Sequence, residues 1–277
     1  MTNKTTPRHV FFISDRTGIT AENLGHALLT QFSSISFEHH SLPFTDTEKK
    51  ARLAAKTIDQ FAQTSQQQPL VFSTLIDDSY RKIIAHTQAH MIDFFDTFIK
   101  PLEIELSTAS SHAQGLSHGI SNEIVYMSRM EAINFALKND DGTNTKAYEN
   151  ADIILIGVSR CGKTPTCLYM ALHYGVKAGN YPLTESDLEA QKLPDALRHH
   201  KAKIVGLMID ADRLAQIRET RRPGSRYSSL KQCYREVDAA ESLLRSAGVP
   251  IFHTTHSSIE EIASRVLLQL GLQREMF

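Results

Sequence analysis

Ile153-Ile154-Leu155-Ile156-Gly157-Val158-Ser159-Arg160-Cys161-Gly162-Lys163-Thr164-Pro165 is the stretch that decides the fold of the C-terminal half of this chain. Its four aliphatic residues predict a buried strand. The eight residues after them fit the pattern G-x-x-x-x-G-K-[ST] at every defined position. Apolar residues at helical spacing follow, and Gly175 is typical of a helix C-terminal cap. The stretch therefore predicts a strand, a phosphate-binding loop and a helix in direct succession.

The residue types in this loop suit the charge of a polyphosphate. Gly157 and Gly162 let the backbone turn tightly, so that successive N–H groups can approach phosphate oxygens. Lys163 adds a full positive charge beside the positive dipole end of the helix, and the Thr164 hydroxyl suits a magnesium ion. The alternative is a tight turn with an incidental lysine. We predict that the loop binds a nucleotide through Gly157, Val158, Ser159, Arg160, Cys161, Gly162, Lys163 and Thr164.

A second metal-organising residue is predicted at the end of the apolar run 203–209, where Asp210 follows. In phosphate-loop enzymes an aspartate at the end of such a strand organises the magnesium. Asp210 is therefore predicted as a metal ligand together with Thr164, and as a catalytic residue together with Lys163. Asp210 could instead cap the helix that begins near Ala211.

A similar pattern occurs near the N-terminus, where the apolar run 10–13 ends in Ser14-Asp15-Arg16-Thr17-Gly18-Ile19-Thr20. Ligands bind open α/β sheets at the carboxyl ends of strands, so Asp15 is a candidate catalytic residue. The same polar residues could serve only to cap the helix that follows, with Thr20 as its N-cap.

The alternation of strands and helices predicts an α/β fold. We expect an N-terminal α/β domain with a mainly parallel sheet at 1–106. A linker loop and a connecting helix follow at 107–150, and a C-terminal α/β domain of the P-loop NTPase type occupies 151–277. Near the end of the chain, Ser257-x-x-Glu260 is typical of a capping box.

Composition narrows the functional class. The chain has 277 residues, 41% hydrophobic and 22% charged, and a net charge of −1, which argues against binding to nucleic acid or to an acidic membrane. Its N-terminus lacks the apolar core of a signal peptide, and no segment is long enough to span a bilayer. The three cysteines are an odd number without C-x-x-C spacing, so we expect a soluble protein of the reducing cytoplasm.

Two further groups of residues are the clustered arginines, which have two possible roles, and the histidines, which predict no site. Five arginines crowd one segment and could either clamp a phosphoryl group or form a solvated face: Arg213, Arg218, Arg221, Arg222 and Arg226. Among the 13 histidines, the adjacent pairs His39-His40 and His199-His200 cannot face one ion from a regular element, and no H-E-x-x-H occurs. The histidines therefore predict no transition-metal site.

Several separated motifs together resemble the family of phosphoenolpyruvate synthase regulatory proteins, which also includes the pyruvate, phosphate dikinase regulatory proteins. The Cys161-Gly162 pair resembles the synthase branch, because the dikinase branch commonly has serine in place of Gly162. The resemblance covers nearly the whole chain. It rests on residues 13–22, residues 129–133, Asp140-Asp141-Gly142, residues 157–166, Arg226-Tyr227-x-Ser229-Leu230 and residues 258–263.

The resemblance implies a bifunctional, cytoplasmic enzyme that acts on phosphoenolpyruvate synthase. Such proteins use ADP to phosphorylate a threonine of the synthase, which inactivates it. They remove that phosphate by transferring it to inorganic phosphate, which releases pyrophosphate. Mg²⁺ is the expected metal, and residues 157–164 are the implied nucleotide-binding segment.

Two alternatives stay open on the residues alone. The loop does not distinguish ADP from ATP, so the first is an ATP-dependent small-molecule kinase. The second is a non-catalytic binding module that is gated by a nucleotide. The sequence does not show the docking surface for a protein substrate, and a symmetric homodimer is only the commonest expectation for a soluble enzyme.

Overall fold

The computed structural model describes residues 6–65, 67–111 and 123–272. The chain forms two compact units, Met1–Gly119 and Ile120–Phe277, which we call unit 1 and unit 2. Each contains a four-stranded sheet whose strand pairs are parallel. The predicted α/β class is therefore confirmed. No helix in the described ranges has both the length and the apolar character needed to cross a membrane.

Unit 1 is a doubly wound sheet built around its first strand. Its strands are β1 (Arg8–Ile13), β2 (Phe37–Leu42), β3 (Leu70–Ser73) and β4 (His90–Asp93), in the order β2-β1-β3-β4. Its helices are α1 (Ile19–Leu29), α2 (Glu48–Thr64), α3 (Asp78–Ala85) and α4 (Phe94–Leu106).

The two faces of β1 belong to different hydrophobic clusters, because alternate side chains of a strand point to opposite sides. Phe11 packs with residues of α2 and α3, among them Ile58. Phe12 packs with residues of α1 and α4, among them Ala21 and Phe94. Helices therefore cover both faces of the sheet, as a parallel sheet requires.

Two strands of unit 1 were not predicted. β2 has the sequence FEHHSL and β4 the sequence HMID, and their residues are only partly buried. Neither has the apolar run or the regular alternation that marks a strand in sequence. Parallel pairing with β1 and β3 stabilises them instead, and that pairing is not visible from local sequence.

Unit 2 has the same strand order, second-first-third-fourth, as the first four strands of flavodoxin-like sheets. Its strands are β5 (Ile153–Gly157), β6 (Ala178–Pro182), β7 (Ile204–Met208) and β8 (Ile251–His253), in the order β6-β5-β7-β8. Its helices are α5 (Glu123–Lys138), α6 (Lys163–Tyr174), α7 (Glu185–Ala190), α8 (Asp195–Arg198), α9 (Ala211–Arg221), α10 (Leu230–Ser246) and α11 (Ile259–Gln269). The finer prediction of a P-loop NTPase domain stays a prediction.

The division between the units differs from the predicted boundaries at 106 and 150. Helix α5, assigned to a connecting segment, packs against α6 and β6. Its Ala132 and Ala136 lie in the hydrophobic core of unit 2. The structure therefore groups this helix with the second unit, while most of the predicted linker loop, residues 112–122, lies outside the described residues.

Two predicted helix caps are wrong by a few residues. Helix α1 begins after Gly18, which has φ 81°, and Thr20 lies inside the helix. Helix α11 is capped by Ser258, whose side chain accepts a hydrogen bond from the Glu261 N–H, and not by Ser257. In the first case a left-handed glycine starts the helix without a side-chain cap, which a search for Ser and Thr caps misses.

Candidate active site

The predicted strand, loop and helix of residues 153–175 are confirmed as β5, a turn and α6. Helix α6 begins after Gly162, which has φ 96° and provides no side-chain cap. The first-turn N–H groups of a helix lack intrahelical partners and carry its positive dipole end. The loop of residues 157–164, which we call the Gly157 loop, therefore lies at a helix end that suits an anion.

Gly157 is required by packing as well as by the turn. A Cβ atom at this position would lie 2.3 Å from the carbonyl oxygen of Leu207 in β7. Arg160 in the same loop also has a left-handed backbone, with φ 77°, although it is not a glycine, and its side chain is exposed. Such conformations are costly for residues with a Cβ atom and concentrate at functional sites.

Lys163, the first residue of α6, is buried against the Gly157 loop, with 4% of its surface exposed. Its Nζ donates hydrogen bonds to the carbonyl oxygens of Gly157 (3.1 Å) and Val158 (2.9 Å). An ammonium group has three donors, and burying its charge requires such partners. The loop therefore holds a positive charge where an anionic group could exchange with the carbonyl oxygens.

The Thr164 hydroxyl contacts a carboxylate that sequence reasoning had not assigned a role. Its Oγ1 donates to Asp140 Oδ1 at 2.7 Å, and the Asn180 side-chain amide donates to the same oxygen at 2.5 Å. Asp140 lies on the β6 side of the loop, since Asn180 belongs to β6. Thr164 and Asp140 are adjacent oxygen donors of the kind that Mg²⁺ prefers.

The turn around Asp140 explains how it reaches Thr164. Asp141 has φ 51°, and its N–H donates to Asn180 Oδ1 at 3.1 Å. Gly142, with φ 70°, lies against the Tyr181 ring, where a Cβ atom would approach to 3.0 Å. The motif Asp140-Asp141-Gly142 was part of the family resemblance, so a signal was present, but its contact with Thr164 spans 24 positions of the chain.

Asp210 lies on the other side of the loop, after β7, and is exposed. It occupies the N-cap position of α9 but makes no side-chain capping hydrogen bond, so the capping alternative is not observed. Its N–H donates to Thr255 Oγ1 at 2.9 Å. The structure thus places Asp210 at the carboxyl edge beside β5, whereas the Thr164 hydroxyl bonds to Asp140.

One arginine of the arginine-rich segment, Arg218, is hydrogen-bonded to the Gly157 loop. The Arg218 side chain is completely buried, and its Nη2 donates to the Ser159 carbonyl (3.1 Å) and to Glu236 Oε2 (2.7 Å). Its guanidinium lies over the Tyr227 ring at 4.1 Å, and the Tyr227 hydroxyl is 3.1 Å from Ser159 Oγ. Burial, the largest single effect, lowers the pKa of Arg218, but Glu236, with smaller effects of Tyr227 and Cys233, raises it overall.

The remaining arginines of that segment are exposed: Arg213, Arg221, Arg222 and Arg226. Arg226 forms an ion pair with Glu185 at 2.9 Å. Arg218 therefore holds the loop, whereas the other four arginines are exposed to solvent.

Asp15, the third predicted catalytic residue, lies in unit 1 and is 3% exposed. Within the described residues its Oδ2 has no hydrogen-bond partner. The turn that carries it is held by the loop after β2, through hydrogen bonds from Phe44 N to Arg16 O and from Thr45 N to Ser14 O, both 2.8 Å. Burial raises the pKa of Asp15, against smaller opposing effects of a backbone hydrogen bond and Arg16.

Comparisons with known proteins give a consistent result over nearly the whole chain. Residues 10–267 match the model of a family described as kinase/pyrophosphorylase. A protein of Marinobacter nauticus named "Putative phosphoenolpyruvate synthase regulatory protein" is 51% identical over 96% of this chain and 98% of its own length. Relatives with the same name occur in Pseudomonas aeruginosa (51% identical, 96% and 97% covered) and Stutzerimonas stutzeri (50% identical, 97% and 99% covered).

Proposed function

The chain belongs to the kinase/pyrophosphorylase family, and on that premise we propose that it is a bifunctional regulator of phosphoenolpyruvate synthase. In one direction it transfers a phosphoryl group from ADP to a threonine of the synthase. In the other it transfers that group from the phosphothreonine to inorganic phosphate, which gives pyrophosphate. The names of the relatives support the target, and the family description supports both reaction types.

The observation that carries this proposal is the buried ammonium group of Lys163 inside the Gly157 loop, at the start of α6. A buried cation beside free helix N–H groups is suited to the charged tail of a nucleotide. In the nucleotide complex we expect Lys163 to release the Gly157 and Val158 carbonyls and to donate to phosphate oxygens instead. The nucleotide-binding residues are those of the Gly157 loop.

The forward reaction is a displacement at the β-phosphorus of ADP. The threonine oxygen of the synthase forms the new P–O bond, the bond from the β-phosphorus to the bridging oxygen breaks, and AMP leaves. Lys163 and the loop N–H groups stabilise the charge that develops on the transferred group and on the leaving oxygen. The hydroxyl proton passes to an aspartate within reach.

Asp210 is the candidate for that proton acceptor within unit 2, and Asp15 stays a proposed catalytic residue of unit 1. Burial raises the pKa of Asp15, so its carboxylate is a stronger base than an ordinary aspartate. Asp210 lies at the carboxyl edge of the sheet that carries the Gly157 loop, which favours it on position. The Asp15→Asn and Asp210→Asn variants separate the two when kcat is measured at saturating nucleotide and Mg²⁺, because loss of the base lowers kcat even when the site is filled.

Mg²⁺ fits the residues around Thr164. The hydroxyl of Thr164 and the carboxylate of Asp140 are oxygen donors 2.7 Å apart, and magnesium accepts oxygen ligands. We propose that Thr164, Asp140 and Asp210 hold the ion or its water shell. When bound, Mg²⁺ neutralises phosphate charge during transfer.

The phosphate-dependent dephosphorylation can use the same anion site. An inorganic phosphate held by Lys163 and the loop N–H groups attacks the phosphorus of the phosphothreonine, and the threonine oxygen leaves and takes a proton. The product is pyrophosphate. A single site therefore serves both directions in this proposal, which ties both activities to Lys163.

Mass spectrometry of phosphoenolpyruvate synthase after incubation with this protein and ADP tests the proposal. We expect a phosphothreonine that disappears when phosphate is added, with release of pyrophosphate. Lys163→Ala should slow the modification by about 10²–10³-fold or more, whereas Lys177→Ala, which removes a partly exposed lysine of the same unit paired with Glu131, should not. Transfer from ATP to small metabolites in place of the synthase would contradict the proposal and favour a small-molecule kinase.

A further inference from the structure

Two histidines and a glutamate of unit 1 converge across adjacent strands. His9 on β1 pairs with Glu38 on β2, and Phe11 pairs with His40. Because side chains two apart lie on the same face of a strand, these residues share one face of the sheet. The cluster of His9, Glu38 and His40, which we call the β1–β2 histidine cluster, is far in sequence from the Gly157 loop and plays no part in the proposed function.

The donor atoms of the cluster face one another. His9 Nδ1 lies 3.0 Å from His40 Nε2 and 3.6 Å from Glu38 Oε2, and His40 Nε2 lies 4.0 Å from Glu38 Oε1. Ligands roughly 2.0–2.1 Å from a tetrahedral zinc ion are roughly 3.4 Å apart from one another. One ligand atom from each residue lies within 4.8 Å of the others. The cluster therefore has the dimensions of a site for one small ion.

Aromatic packing fixes the two imidazole rings. The Phe11 ring stacks on His40 at 4.7 Å, and the Phe61 ring of α2 contacts His9 edge-on at 4.6 Å. The His9 and His40 side chains are 14% and 22% exposed, whereas Glu38 is 53% exposed. The rings thus have an apolar wall behind them, and solvent reaches the cluster from the side of the carboxylate.

We propose that the β1–β2 histidine cluster binds a divalent transition-metal ion of the zinc class. His9 Nδ1, His40 Nε2 and a carboxylate oxygen of Glu38 supply three ligands, and a water molecule completes the tetrahedron from the open side. Imidazole nitrogens favour zinc and its neighbours over magnesium, so this site differs in chemistry from the oxygen donors near Thr164. The ion joins the edge strand β2 to the central strand β1.

Adjacent histidines of one strand face opposite sides of a sheet, whereas histidines of neighbouring strands can face one ion. His39 does face away from His40, and it stacks on His26 at 4.4 Å on the opposite side of the sheet. The partner of His40 is His9, on a neighbouring strand 31 residues away. Because β2 was not predicted, no cross-strand pair could be considered.

Isothermal titration of the metal-free, full-length protein with ZnCl₂, without nucleotide, tests this site. We expect saturable binding of one zinc ion at the cluster. His40→Ala should weaken binding by at least about 100-fold, because loss of an outer partner of a ligand already costs about 10–100-fold. His39→Ala removes an imidazole from the same strand but from the other face, and should bind zinc as the wild type does.

Glu38→Gln keeps the shape of an exposed side chain and removes its charge, so it tests the site even if His40→Ala fails to fold. It should also weaken zinc binding, and Co²⁺ in place of zinc should show the absorption of a tetrahedral site in the wild type only. Absence of saturable zinc binding to the wild type would overturn the proposal. Equal binding by Glu38→Gln and the wild type, or a loss caused by His39→Ala in place of His40→Ala, would overturn it as well.

Discussion

The two units share one strand order and one construction at the end of their first strand. In both, the first strand lies between the second and the third. Helices α1 and α6 begin after a left-handed glycine, Gly18 (φ 81°) and Gly162 (φ 96°), and neither has a side-chain cap. The buried ionisable group in the segment after the first strand differs between the units. In unit 2 it is the ammonium group of Lys163, and in unit 1 it is the carboxyl group of Asp15.

The two units show that a shared topology can provide a ligand site, whereas the side chains at that site determine which ligand binds. Both sheet edges have free helix N–H groups, which favour anions. Lys163 adds to that preference in unit 2, whereas Asp15 opposes it in unit 1. We therefore expect the nucleotide to bind unit 2, and the following variants test that contrast in order of expected effect.

The largest effect on stability is expected from Arg218→Ala, and no arginine is buried among the described residues of unit 1. Removing the guanidinium leaves Glu236 Oε2 without its cationic partner, although Oε1 still accepts from Gln232, and leaves the Ser159 carbonyl without this donor. Breaking a buried pair costs about 3–5 kcal/mol, and we expect the lower end because Glu236 is partly exposed. Urea unfolding measures the loss, with the exposed Arg222→Ala as control. A loss below 1 kcal/mol would show that the loop needs no such support.

Lys163→Ala should lower kcat for both proposed reactions by about 10²–10³-fold or more, the effect of removing one stabilising donor at a developing charge. Phosphorylation of the synthase and pyrophosphate release are measured separately. Lys177→Ala is the matched control. A variant that loses phosphorylation but keeps full phosphate-dependent dephosphorylation would show that the two reactions use separate sites.

Asp140→Asn tests the proposed magnesium site of unit 2, since it removes a charge next to the Thr164 hydroxyl and keeps the size of the side chain. If Asp140 helps to hold magnesium, nucleotide affinity in the presence of Mg²⁺ should fall by about 10–100-fold, with a much smaller change when the metal is chelated. Calorimetry with and without Mg²⁺ gives both values. Equal losses under the two conditions would assign Asp140 a structural role only.

The smallest effect on the free energy of unfolding is expected from Asp15→Asn, and it depends on pH. Burial raises the folded-state pKa of Asp15, so the protonated form is favoured on folding. Its contribution to stability is complete below the unfolded pKa of about 3.9 and is lost as pH rises through the raised value. The variant should therefore gain stability relative to the wild type as pH rises from about 4 through the raised pKa. Urea midpoints measure this gain, and a difference that does not change with pH would argue against the raised pKa.

The sequence allowed prediction of the elements that carry strong local signals. The strand β5, the Gly157 loop and α6 follow from four aliphatic residues, two glycines and helical spacing. The partly polar strands β2 and β4 were missed because their stability comes from pairing with β1 and β3. The β1–β2 histidine cluster was not predicted for the same reason, because it depends on the pairing of β1 with β2.

The site residues also fall into two groups, those that belong to a local sequence pattern and those that reach the site through long-range contacts. Lys163 and Thr164 belong to a local pattern and could be assigned a chemical role from it. Asp140 reaches Thr164 only through a turn packed on β6, and Arg218 reaches the Ser159 carbonyl across 59 positions. Long-range contacts of this kind depend on the packing of the sheet, which no local pattern contains.

The central claim is that the buried ammonium group of the Gly157 loop holds the charged tail of a nucleotide. Calorimetry of the full-length protein with ADP and Mg²⁺ tests it most directly, in the wild type and in the Lys163→Ala, Lys177→Ala and Asp15→Asn variants. We predict binding to the wild type, Lys177→Ala and Asp15→Asn proteins, and no measurable binding to Lys163→Ala. ADP binding that survives in Lys163→Ala, or that is lost in Asp15→Asn, would contradict the assignment of the nucleotide site to unit 2.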